Sequence, residues 1–63
     1  MDYDRKETVR RALAKDAAAQ AGLDEDTVDA VVDDVFGNYE VGALSDSYFA
    51  EVLGDAIQRH AAP

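Results

Sequence analysis

Along the chain, apolar positions fall into two well-phased runs and one weak one. Val28, Val31, Val32, Val35 and Phe36 recur at i, i+3, i+4, i+7 and i+8, the signature of a helix with one buried stripe. Phe49, Val52, Leu53, Ala56 and Ile57 repeat that pattern more cleanly further on. The first third is rich in good helix formers, but its stripe, Val9, Ala12, Leu13 and Ala17, consists mostly of small side chains. The spacing predicts helices over 5–21, 25–36 and 46–60. That makes an all-α fold, a small three-helix bundle with a helix-turn-helix-like start, as a single domain over 1–63 with disordered ends at about 1–3 and 61–63. The expected core is Leu13, Leu23, Val28, Val32, Val35, Phe36, Phe49, Val52, Leu53 and Ile57.

The breaks between these runs have local chemistry of their own. Gly22 suits the left-handed position past a helix end, and Leu23 behind it can pack back on the last turn. Asp24 can cap the second helix, with Leu23 and Val28 as a hydrophobic staple and Glu25 and Asp26 favoured by the dipole. Gly37 is expected to close that helix. Asp4 and Glu7 form a capping pair for the first helix, and Ser45 caps the third, where Asp46 occupies the first turn. Asn38 to Leu44 reads as a loop folded over the core, because Glu40-Val41-Gly42 has no second strand to pair with. Gly54 inside the third helix costs about 1 kcal/mol relative to Ala, and marks either a close backbone approach or simple tolerance. Arg59 and His60 complement the dipole at its end.

Asp16, Ala18, Ala21, Gly22, Leu23, Thr27, Val28, Val31 and Val32 fall at the spacing of a helix-turn-helix, and the segment resembles that of the lactose-repressor family. Extended to Phe36, it also resembles the first helical hairpin of HU-type nucleoid proteins. Either resemblance covers a third to a half of the chain and implies DNA binding. The residues that would do the binding depart from both patterns. A recognition helix reaches bases and phosphates from its first turns, commonly through Arg, Lys, Asn or Gln. Here those places hold Glu25, Asp26, Asp29, Ala30, Asp33 and Asp34, and no basic β-ribbon arm follows Phe36.

Charge deepens that departure. The formal net charge is −8 over 63 residues, and the long-range field repels nucleic acids and anionic membranes. Residues 1–20 carry five basic and four acidic side chains, whereas 21–63 carry ten acidic side chains and, as base, Arg59 alone. An acidic surface of this kind also fits general solvation in a salt-adapted proteome. A chain this short buries only about 60% of its unfolded surface, so one small core is expected. Without cysteine there is no disulfide or thiolate site. No apolar run approaches the ~20 residues of a membrane span and Met1 is not followed by a signal-peptide core, so a cytoplasmic protein without membrane contact is expected.

Catalytic chemistry is poorly provided for. His60 is the single histidine, and Ser45 and Ser47 sit where capping explains them, so no enzymatic activity and no cofactor are expected. Asp24, Asp26 and Asp29 superficially suggest a calcium loop, but the Gly that turns such a loop is missing, and no metal site is assigned. Tyr39, Tyr48 and Phe49 are either interface anchors or core and rim packing. Arg10, Arg11 and Lys15 lie off the apolar stripe and are expected to pair with nearby acids in exposed, weak ion pairs.

The best candidate for function is the acidic arc Glu25, Asp26, Asp29, Asp33 and Asp34, whose members three and four residues apart lie about 5 to 6 Å from one another at Cβ. In style the chain resembles small acidic DNA-mimic proteins, among them phage inhibitors of restriction or CRISPR systems. That resemblance implies a non-enzymatic binding module that blocks a protein partner's basic, nucleic-acid-binding surface. The alternative is a small helix-turn-helix transcriptional regulator that meets DNA through Arg5, Lys6, Arg10 and Arg11, helped by dimerisation. Burial of the Ala-rich face of helix one would also favour a homodimer.

Overall fold

Gly22 adopts φ +88°, and around it the first helix ends in a Schellman motif: the Leu23 N–H donates to Ala18 O at 3.4 Å and the Gly22 N–H to Ala19 O at 3.0 Å. In the computed structural model, which describes residues 2–61, this turn joins α1 (Asp2–Gln20) to α2 (Glu25–Asn38). A single 3-10 turn (Val41–Ala43) then leads into α3 (Asp46–Ala61), giving the small all-α three-helix bundle that the periodicity predicts. Helical backbone thus extends to Asp2 and to Ala61, into both segments expected to fray; Met1, Ala62 and Pro63 lie outside the described residues.

Two of the three expected caps form. The Asp24 carboxylate accepts from the Thr27 N–H at 2.8 Å, and Ser45 Oγ accepts from the Tyr48 N–H at 3.2 Å. The Asp4 cap does not, because α1 starts before it and Asp4 is already a helical residue whose carbonyl accepts from Thr8 Oγ1 at 2.9 Å. Nor does Gly37 close α2. The helix continues through it to Asn38, whose side chain donates to Asp34 O at 2.7 Å and to Asp34 Oδ1 at 2.8 Å. The Tyr39 N–H still reaches Val35 O at 3.1 Å, and extended backbone at Tyr39 ends the helix.

α1 and α3 each pack on α2, and the 3-10 turn packs on α1. The central stripe of Val28, Val31, Val32 and Val35 meets Phe49, Val52, Leu53 and Ala56 of α3, and Ala14 and Ala18 of α1. Val41, the first residue of the 3-10 turn, is fully enclosed. Val31, Val32, Val35 and Val41 are the largest fully buried side chains, each contributing about 1.5 to 3 kcal/mol. Leu23, Phe36 and Ile57, expected inside, are only partly buried at the edge of the core.

The inward face of α1 differs from the expected one. Val9 and Leu13 remain 53% and 52% exposed, and the helix packs through Arg10, Ala14 and Ala18 at i, i+4 and i+8. Alanines let two helix backbones come close. Leu13 is therefore not a core residue, and Arg10, expected at the surface, is inside.

Candidate functional site

The acidic arc is set by the burial of its own helix. Since α2 turns its four valines inward, the residues on the opposite side face water, and Glu25, Asp26, Asp29 and Asp33 are all exposed. Among the described residues, none of these four carboxylates pairs with a cation. Asp26, Asp29 and Asp33, at i, i+3 and i+7, form a row of unneutralised charge along the helix.

Asp34 belongs to a different arrangement. Its side chain is 18% exposed, and its Oδ2 lies 3.0 Å from Arg59 Nη1 and 3.1 Å from His60 Nε2 of α3. The hydrogen bond to His60, aided by the nearby charge of Arg59, holds the Asp34 carboxyl below the ordinary carboxylate range. Arg59 also reaches Asp55 Oδ2 at 3.1 Å through its Nε. Asp34 therefore ties α2 to the end of α3, and the outward arc comprises the other four acids. Asp24, beside the arc, is occupied in capping, and its hydrogen bonds with Thr27 lower its carboxyl as well.

Arg10 and Arg11 are committed elsewhere. Arg10 is 5% exposed, and its guanidinium donates to Val41 O, to Leu44 O at 2.7 Å and to Asp46 Oδ1 at 2.8 Å. Its Cζ lies 5.0 Å from the centroid of the Phe49 ring. One planar cation thereby satisfies two carbonyls of the irregular connection, meets the first turn of α3 and stacks on a core ring. Arg11 lies with its Cζ 4.4 Å from the centroid of Phe36, and no ion pair engages Lys15 among the described residues. The expected local pairing of Arg10, Arg11 and Lys15 with neighbouring acids is thus replaced by one buried network, one aromatic stack and one free lysine. The acid that Arg10 does find is 36 positions away in the chain.

The three aromatics divide. Phe49 is buried, whereas Tyr39 and Tyr48 are exposed and meet edge to face, with centroids 6.2 Å apart and planes at 86°. Glu51 and Asp55 border the shallow groove beside them. Reasoning from the sequence missed Arg10, for which the signal was its phase with Ala14 and Ala18, whereas Val41 lies in the connection expected to fold over the core and is buried there. No helix among the described residues is long and apolar enough to cross a membrane.

No protein-family model matches the chain, and no curated protein or solved structure matches it either.

Proposed function

We propose that the chain is a non-enzymatic binding module whose α2 arc, Glu25, Asp26, Asp29 and Asp33, docks on a basic, nucleic-acid-binding surface of a protein partner and occludes it. The observation that carries this reading is that, among the described residues, no cation pairs with these four exposed carboxylates, whereas Asp34, Asp46 and Asp55 are paired. Exposed like charges along one helix gain energy when an external cationic surface meets them, and they steer such a surface inward from a distance. The regulator reading is weakened by Arg10, one of the four cations it needs, because its guanidinium is enclosed between α1, the 3-10 turn and α3. A duplex would also meet a net charge of −8 without the counterion release that basic side chains provide.

The test is affinity capture from host extract treated with nuclease, followed by competition with duplex DNA or RNA, using the wild type and an Asp26→Asn/Asp29→Asn/Asp33→Asn variant whose helicity is verified. The expected result is a protein partner that survives nuclease, is displaced by excess nucleic acid, and is lost in the variant. Direct recovery of nucleic acid by the wild type, or a partner retained equally by the variant, would refute the proposal.

A further inference from the structure

The apolar residues of α1 are distributed the opposite way from those of a helix that has only one neighbour to satisfy. Its alanines, Ala14 and Ala18, are fully buried against α2, while its larger apolar side chains, Val9 and Leu13, stand 53% and 52% exposed. These two, one turn apart, line a shallow groove with Arg5, Lys6 and Arg10 of α1 and Asp46 of α3. A second packing surface is thus present on α1.

We infer that a second copy of the chain covers it, α1 against α1 and antiparallel about a two-fold axis that crosses the Val9–Leu13 face at the level of residue 11. Charge selects this occupant. The exposed charges along this face of α1, Arg5 and Lys6 against Asp16, nearly balance while the rest of the molecule is overwhelmingly acidic, so this is the face on which two molecules of charge −8 can approach with least repulsion. The order of residues selects the direction. Lys6, Val9, Leu13 and Asp16 follow one another at spacings of three, four and three, a short seam of the kind that pairs helices. In the antiparallel register Val9 lies across from Leu13 of the second copy, and Lys6 lies across from Asp16, twice by symmetry. A parallel pair would set Lys6 against Lys6 and Asp16 against Asp16. An acidic helix from another protein would satisfy Arg5 and Lys6 but would place a like charge on Asp16. This pairing does not involve the exposed arc of α2, so it holds or fails independently of the function proposed above.

One face of one helix is a small interface, below the roughly 1,200 Å² at which stable complexes begin, so association is expected in the range of about 10 μM to 1 mM. Sedimentation equilibrium of the full chain across that range tests it, in moderate salt that screens the net repulsion. The wild type should form a reversible dimer, and Val9→Ser/Leu13→Ser should weaken it by at least about tenfold while retaining wild-type helicity, because both side chains are already exposed in the monomer. Lys6→Glu and Asp16→Lys should each weaken it by about tenfold, through two repulsive contacts per dimer. The double variant Lys6→Glu/Asp16→Lys should restore it. Positions 6 and 16 are about 15 Å apart along one helix, too far for restoration to arise within a single chain. A strictly monomeric wild type at the highest concentration, a dimer indifferent to Val9 and Leu13, or a double variant no better than either single one would each overturn the inference.

Discussion

Arg10 shows how one side chain can replace a stretch of core that a chain this short lacks. Its guanidinium meets Val41 O, Leu44 O and Asp46, and lies over the ring of Phe49. The magnitudes separate these contacts. Asp46 is fully open to water, so its ion pair is worth at most about 1 kcal/mol, whereas the carbonyl of Val41 is enclosed and loses a charge-assisted hydrogen bond if Arg10 is removed. Arg10→Ala should therefore cost about 2 to 4 kcal/mol in urea unfolding, and Asp46→Asn less than about 1. Arg10→Lys should fall between them, because an ammonium cannot span three acceptors in a plane. A large loss in Asp46→Asn would show that the ion pair and not the carbonyl bonds holds the connection. Arg10 was not legible in the sequence because local reasoning places a cation off an apolar stripe at the surface, and only the tertiary arrangement brings carbonyls 31 and 34 positions away within its reach.

At the scale of the element, what was legible is what local physics determines. The Schellman turn at Gly22, the caps at Asp24 and Ser45, and the inward faces of α2 and α3 follow from residues within one or two turns of each other. The phase of α1 does not, since its low contrast of apolar and polar residues lets either side pack inward, and the choice falls to whichever side permits close approach to α2. The glycines show the same division between local and tertiary causes. A Cβ on Gly54 would meet nothing within 4 Å, so the residue is tolerated and not required by a neighbouring backbone. Gly54→Ala should then stabilise the protein by about 0.5 to 1 kcal/mol, as the unfolded chain loses freedom and the helix gains propensity. Gly22→Ala has equal room but sits at φ +88°, and should destabilise by about 1 kcal/mol or more. Thermal melts of the two variants should move in opposite directions, and a fall for Gly54→Ala would indicate a contact that α3 makes in an assembled state.

For the whole molecule, the decisive fact is that the acids outnumber the cations and that, among the described residues, no cation pairs with the outward acids of α2. Asp29 and Asp33 lie one turn apart on an exposed face with no base between them, and such i, i+4 like-charge pairs cost about 0.2 to 0.5 kcal/mol each at low salt. Glu25 and Asp26 differ, because their proximity to the N-terminus of α2 is favourable and offsets part of their repulsion. Raising sodium chloride toward 1 M shortens the Debye length to about 3 Å and should remove most of the repulsive energy. If the sum over the molecule is about 1 kcal/mol, the melting temperature should climb by about 4 to 8 °C. Salt also strengthens apolar burial in general, so the rise alone does not isolate the arc. The comparison that does is the variant Asp29→Asn/Asp33→Asn, which removes the repulsive pair and leaves the dipole-favoured acids in place. Its melting temperature should exceed that of the wild type at low salt, and the two curves should converge at high salt. Measurement at a few micromolar keeps self-association from adding a concentration-dependent term. Parallel curves for the two proteins would mean that these carboxylates are already neutralised, and would remove the physical basis for assigning them to an external cationic surface.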